Sequence, residues 1–259
     1  MADGAGEARR AGTGADRIVF LGHASALVEL DGVRLLTDPL LRSRILHLRR
    51  AVALPEPSLF AAPDAVLISH LHQDHLDLPS LRLLGSDTPL LVPAGAGAWL
   101  RGQGFADVRE LRVGEEASVG ALTITAVQAR HDGRRLPRGP HAPALGYLVR
   151  GSQVVYFAGD TELFAEMAHL SPSLDAALLP VTGWGPTLGP GHMDPLHAAR
   201  AARLTQPRIA IPIHWGTLRP VGRARPDFTD PPRLFARHVA ELAPNVEVRI
   251  LNPGQETAL

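Results

Sequence analysis

His70-Leu71-His72-Gln73-Asp74-His75 follows directly on the apolar run Asp64-Ala65-Val66-Leu67-Ile68-Ser69, and the fold is read from this junction. Polar turns usually draw on Gly, Pro, Asn, Asp and Ser. Three histidines and one aspartate within six residues are therefore hard to assign to turn chemistry. Imidazole and carboxylate are ligands for zinc and similar divalent ions. Four such groups from one short segment would crowd a single ion. Sharing them between two neighbouring ions is more natural, and hydrolytic two-metal sites hold their ions about 3.5–4 Å apart.

Outward from the motif, the same design recurs. Gln153-Val154-Val155-Tyr156-Phe157-Ala158-Gly159 leads into Asp160, and Arg208-Ile209-Ala210-Ile211-Pro212-Ile213 leads into His214. Asp175 to Val181 leads into a Gly/Pro-rich loop, and His131 follows the β-like run Leu122 to Val127. Short, nearly continuous apolar runs fit strands covered on both faces. In layered α/β folds the carboxyl ends of such strands are where loops gather a site. His131, Asp160 and His214 thus join the motif as candidate ligands.

Near the start, Ala26 to Leu30 and Val33 to Leu36 flank Asp31-Gly32, a hairpin signal. Helices are expected over Pro79–Leu84, Ala94–Gln103, Glu162–Leu170, Pro195–Leu204 and Pro232–Leu242. For Pro195–Leu204, Asp194 supplies the cap and Pro195 the first helical position. The pattern suggests two similar layers face to face, in one α/β domain over 17–259 after a flexible tail at 1–16.

Composition narrows the chemistry. The 26 basic residues are all arginine, which removes Schiff-base and P-loop lysines. The absence of cysteine removes disulfides, thiolate zinc sites and thiol nucleophiles. Equal numbers of acidic and basic residues give no general case for nucleic acid as a partner. No signal-peptide core and no apolar run of membrane-spanning length is present, so a cytoplasmic location is the expectation.

From Ile18 to about Pro244 the chain resembles the metallo-β-lactamase superfamily. Within it the likeness is to the branch holding ascorbate-phosphate lactonases and N-acylphosphatidylethanolamine-hydrolysing phospholipase D. The stretches that carry it are Leu21-Gly22-His23-Ala24-Ser25, Leu36-Thr37-Asp38-Pro39, Ser69 to Asp77, Gly159-Asp160-Thr161 and Ile211 to Thr217. The resemblance implies a four-layer αββα sandwich and a dinuclear centre of zinc or, second, manganese. It places His70, His72 and His131 on one metal, Asp74, His75 and His214 on the other, and Asp160 between them. It implies hydrolysis of a small or lipid-like, anionic substrate. A phosphodiester is favoured, with a lactone as the alternative; a non-catalytic metal-binding scaffold is the rival from another class. His72 stands where diiron oxidoreductases of this fold carry glutamate. The inserted domain of the RNA-processing nucleases has no room between Asp160 and His214.

Several residues have two readings. His192, in Gly189-Pro190-Gly191-His192-Met193-Asp194, matches a histidine close to the metals in phospholipase-like relatives; it is a general acid or substrate contact, or else a loop residue helping to cap a helix. Asp74 is a ligand and can also orient the attacking water. His23 is a site residue or a buried hydrogen-bonded one, and Asp38 reads as an orienter of a ligand histidine. His47, His141, His169, His197 and His238 read as surface or structural. Arg130, Arg134, Arg135 and Arg138 either hold an anion or form a charged loop. The stretch Arg42 to Arg50 is a solvated loop or helix, a pocket rim, a phosphate grip or a membrane contact. The segments 183–191 and 214–222 are expected to wall the cleft.

Overall fold

The computed structural model describes residues 15–135, 139–170, 173–182, 189–222 and 230–259. Most of the expected tail, Arg138 and the 183–188 part of the expected cleft wall lie outside these. Asp16, assigned to the tail, is tied into the fold: its carboxylate accepts from the Asp31 amide at 2.9 Å and from Ser152 Oγ at 3.2 Å.

The chain opens as a meander, β1 (Arg17–Gly22), β2 (Ser25–Leu30) and β3 (Val33–Thr37). Asp31 and Gly32 both have positive φ, 50° and 75°, as the turn between β2 and β3 requires. A small hairpin, β4 (Arg44–Ile45) and β5 (Leu48–Arg50), is followed by α1 (Pro57–Phe60). Next come β6 (Ala65–Leu67), α2 (Leu78–Leu84), β7 (Leu90–Pro93), α3 (Gly97–Gly102) and β8 (Val108–Leu111). The second half holds β9 (Glu116–Val119), β10 (Leu122–Gln128), β11 (Leu145–Arg150) and β12 (Val154–Phe157). It continues with β13 (Leu174–Pro180), α4 (Pro195–Thr205), β14 (Pro207–Ile213) and β15 (Leu218–Pro220). It ends with α5 (Pro231–Leu242), β16 (Glu247–Val248) and β17 (Glu256–Ala258).

Among the described residues these strands form two seven-stranded sheets, ordered β17-β1-β2-β3-β6-β7-β8 and β16-β14-β13-β12-β11-β10-β9, and a three-stranded sheet, β15-β5-β4. The apolar runs are continuous because each large sheet is buried on both faces. In β1, Ile18 and Phe20 meet Tyr147, Phe157, Leu178 and Ile211 of the facing sheet. Val19 and Leu21 point the other way, onto Leu81 of α2 and Leu100 of α3. In β13, Ala177 and Leu179 pack outward under Ala198 and Ala202 of α4 and Phe235 and Val239 of α5. Helices outside, two sheets inside: the expected four-layer αββα sandwich. No helix among the described residues is long and apolar enough to cross a membrane.

Besides Asp16, two expectations differ from what is observed. The helix expected over Glu162–Leu170 shrinks to a 3-10 turn, Ala165–His169. The backbone before it is committed elsewhere: the Glu162 amide donates to the Arg130 carbonyl at 3.1 Å, and the Arg130 amide donates to Thr161 Oγ1 at 2.9 Å. These bonds tie the Asp160 loop to the His131 loop. The basic stretch Arg42–Arg50 contains the β4–β5 hairpin, with Ile45 and Leu48 buried against Leu40 and Leu218.

Topology positions the site. β1 and β3 both run antiparallel to β2, and β3 runs parallel to β6, so these three end at one edge. In the other sheet β10 and β12 flank β11 antiparallel, and β12, β13 and β14 are parallel. The strands that end at this edge, β1, β3, β6, β10, β12, β13 and β14, each release a polar residue shortly past their ends: His23, Asp38, His70, His131, Asp160, Thr182 and His214.

Candidate metal centre

His70 and His72, from the loop after β6, meet His131, from the loop after β10. His70 Nε2 lies 2.9 Å from His72 Nδ1, and His131 Nε2 lies 3.0 Å from the same atom. His75 and His214 meet beside them, Nε2 to Nε2 at 3.3 Å, with Asp74 Oδ2 3.8 Å from His75 Nε2. Asp160 stands between the two sets. Its Oδ2 is 4.0 Å from His70 Nε2 and 3.2 Å from both His75 Nε2 and His214 Nε2. All seven residues expected as ligands are therefore gathered in one place.

Tautomers follow from the partners on the far side of each ring. His131 Nδ1 donates to the Gly191 carbonyl at 2.8 Å, and His214 Nδ1 donates to the Thr182 carbonyl. His75 Nδ1 donates to Asp38 Oδ2 at 2.7 Å. Ser69 Oγ donates to the same carboxylate oxygen at 2.5 Å, which leaves it free to accept from His70 Nδ1 at 2.9 Å. Each of these rings, when neutral, turns the lone pair of Nε2 toward the cluster. Asp38 is thus behind the rings, orienting one histidine of each set, as metal-ligating histidines generally require.

The donor set fits divalent cations. Bare nitrogens about 3 Å apart repel each other, whereas zinc–nitrogen bonds of about 2.0–2.1 Å put tetrahedral ligands about that far apart. Asp160 is buried, yet its Oδ1 has no hydrogen-bond partner. Burial opposes its charge, and His214 and His75 more than offset that, holding the carboxyl well below the ordinary range. Burial likewise disfavours charge on His75, but Asp160 and Asp74 push the ring well above its ordinary value. Positive charge is demanded at this spot, and a divalent ion supplies more of it than one proton. Burial lowers His131 to about 4 despite the nearby Asp160, which keeps that ring neutral and able to ligate.

His23 belongs to the cluster as well. Its Nε2 is 3.1 Å from Asp74 Oδ2, and its ring centroid is 4.1 Å from that of His214. It is buried, with burial and His214 bringing it to about 4 against the pull of Asp74. With Asp74, His75 and His214 it forms a set whose ligand atoms lie within 4.8 Å of one another. His23, Asp38 and His214 have positive φ, 58°, 33° and 64°, a strained region for residues with side chains and one concentrated at functional sites.

His192 also reaches the site. Its Nε2 is 3.5 Å from Asp160 Oδ2, and its ring lies edge-on to His131 with centroids 4.7 Å apart. Helix α4 is capped by Asp194, which accepts from the His197 amide at 2.8 Å, so His192 is not needed for capping. Gly191 has no room for a side chain: at φ 78°, a Cβ would lie 2.7 Å from His131 Nδ1. Before Asp160, a Cβ on Gly159 would lie 2.5 Å from Ser69 Cβ.

Among the described residues, Arg130, Arg134 and Arg135, which flank His131, are engaged. Arg130 pairs with Glu166 at 3.1 Å and Arg134 with Asp132 at 2.9 Å. Arg135 donates to the carbonyls of Leu71 and Leu76, at 3.1 and 2.8 Å, and stacks over Trp99. It clamps the loop that carries His70, His72, Asp74 and His75, a role its sequence position did not show. Ser69 was also missed as an orienter, although it stands next to His70. The carbonyls of Gly191 and Thr182 carry no side-chain signal at all. Outside the cluster, His169 is exposed, and His141 pairs through its backbone with Arg134.

Asp38→Asn tests the orienting role. Asparagine tolerates the positive φ but would present an N–H to His75 or Ser69. Metal affinity should fall by about 10–100-fold, the usual effect of losing such a partner, together with some loss of thermal stability from the buried donor left unpaired. Titration against metal buffers measures it, and unaltered affinity would refute the role.

Comparison with known proteins places this geometry among relatives. Residues 33–215 match the family model described as the beta-lactamase superfamily domain. A metal-dependent hydrolase of Methanopyrus kandleri is 35% identical over 92% of this chain and 98% of its own length. An N-acyl-phosphatidylethanolamine-hydrolyzing phospholipase D of Caenorhabditis elegans is 32% identical over 76% of this chain, which spans 63% of that protein. Among solved structures, a metallo hydrolase of the archaeon Ignicoccus hospitalis superposes with a TM-score of 0.74, at 26% identity, covering 95% of this chain and 99% of that one.

Proposed function

The chain belongs to the β-lactamase superfamily and is a metal-dependent hydrolase of metallo-β-lactamase fold; from that premise we propose that it cleaves phosphodiesters at a dinuclear centre. In this reading His70, His72 and His131 would hold one ion and Asp74, His75 and His214 the other, with Asp160 placed to serve both. Zinc is the first expectation for the metal and manganese the second. Such ions, when bound, polarise a phosphoryl group and lower the pKa of water toward neutrality.

The chain's own groups do the rest. Asp74, half-buried and within hydrogen-bond reach of His23, orients the attacking water. His192, on the more open side of Asp160, delivers a proton to the departing alkoxide oxygen. No covalent protein intermediate is required. The observation that supports the reading is the His192 ring beside the cluster, its Nε2 3.5 Å from Asp160 Oδ2 and its ring edge-on to His131, within reach of a substrate held there. The similarity to a phospholipase D supports a phosphodiester in particular.

The test is a parallel assay of the metal-loaded protein on bis(p-nitrophenyl) phosphate, a glycerophospho-N-acylethanolamine, a γ-lactone and a thioester. Turnover of the phosphodiesters well above that of the lactone and thioester is expected. Lactone hydrolysis with inert phosphodiesters would overturn the assignment and favour the lactonase alternative.

A further inference from the structure

The basic stretch before β6 separates into two kinds of arginine. Arg42 pairs with Asp77 at 2.7 Å. Arg50 is buried, donating to the carbonyls of Leu21, Leu40 and Ala53, and burial lowers its guanidinium to about 10. Both are absorbed by the fold. Arg44 and Arg49 are exposed, and they lie opposite each other in the β4–β5 pair. Across the other edge of β5, Arg49 lies opposite Arg219 of β15. Directly paired residues point to the same face of a sheet. The small sheet therefore carries a row of three arginines on one face and the buried Ile45, Leu48 and Leu218 on the other.

None of the three has an acidic partner among the described residues. Like charges placed directly opposite one another destabilise a sheet, so the row is stable at some cost unless anions face it. Apolar side chains project beside it. Leu46, at the hairpin tip with φ 47°, is 59% exposed, and Val221 is 46% exposed. The Val221 amide donates to the His47 carbonyl at 2.8 Å, which brings the two apolar residues to one end of the sheet.

We propose that this sheet is a docking surface for an anionic lipid bilayer. The charge is complementary to acidic headgroups, and the chain's zero net charge makes the attraction local to this patch. Leu46 and Val221 select the partner: aliphatic tips gain by entering the headgroup boundary, whereas a nucleic-acid backbone offers them nothing. β15 begins at Leu218, soon after His214, which keeps the small sheet close in sequence to the candidate metal centre. The inference does not depend on which substrate is cleaved.

Co-sedimentation of the full chain with vesicles decides it. Binding is expected to phosphatidylcholine vesicles containing phosphatidylserine, weakening as salt rises, and not to phosphatidylcholine alone. Each arginine contributes about fivefold at a membrane surface, so Arg44→Ser with Arg49→Ser should weaken binding by roughly 25-fold. Leu46→Asn, which suits the left-handed backbone, should weaken it further. Turnover of a small soluble substrate by these variants should stay at the wild-type level, which shows that they fold. Absence of binding to the acidic vesicles, or binding indifferent to these substitutions, would overturn the proposal. So would tight binding to a DNA or RNA duplex that ignores Leu46→Asn, or an arginine-dependent dimer in light scattering that buries the patch.

Discussion

Asp160→Ala and Asp74→Ala are each expected to abolish measurable hydrolysis. Asp160 Oδ2 is within 4.0 Å of histidine nitrogens from both sets, so its loss disconnects the two halves of the cluster. Asp74 is the carboxylate of the second set and the partner of His23. Positions behind the ligands typically cost 10–100-fold when substituted, and direct ligands should exceed that. His169→Ala, on an exposed turn, and His238→Ala, on α5, should leave turnover nearly intact. Steady-state rates on folded, metal-supplemented variants provide the comparison. If both aspartate variants remain active, the chemistry occurs elsewhere.

His192→Gln should lower turnover by about 10²–10⁴-fold, the range for a positioned acid or base. The fold should be unchanged, because the helix behind His192 is capped by Asp194, and metal content should hold because the seven proposed ligands exclude it. His192 also groups with His131 and Asp160 as potential ligands, so a loss of bound metal would make it a ligand instead of an acid. The loss should shrink for substrates with good leaving groups, which need less protonation. A residue that only packed the loop would behave differently, with thermal stability falling while turnover per folded molecule held. Measuring both on one preparation separates the two, and unchanged turnover would retire the catalytic role.

The parts of the fold that were legible in the sequence share a physical reason. Continuous apolar runs such as Ile209 to Ile213 are strands because both faces are covered, and the run cannot be satisfied in a solvated sheet. Asp31-Gly32 and Asp194-Pro195 carry their own backbone chemistry, a positive-φ turn and a capped helix start. What stayed hidden depends on contacts distant in sequence. The strand Glu256–Ala258 is too short to announce itself, and it exists because β1 offers it an edge. The expected helix after Asp160 is overridden by the bonds to Arg130 and Thr161.

The candidate site divides in the same way. The ligand motif was visible because a turn after a buried strand has no use for three imidazoles and a carboxylate within six residues, whereas divalent ions do. The gathering of His131, Asp160 and His214 was inferred from strand ends and is seen at a common sheet edge. His23, read as either a site residue or a buried hydrogen-bonded one, is buried and bonded to Asp74 inside the cluster, a contact that only the fold creates. Ser69, Arg135 and the carbonyls of Gly191 and Thr182 act through hydrogen bonds that no spacing rule encodes.

Metal stoichiometry is the most direct test of the dinuclear reading. Protein stripped with chelator and retitrated with zinc or manganese should recover activity as bound metal approaches two ions per chain, measured by elemental analysis on the same samples. Saturation at one ion per chain with full activity would contradict it.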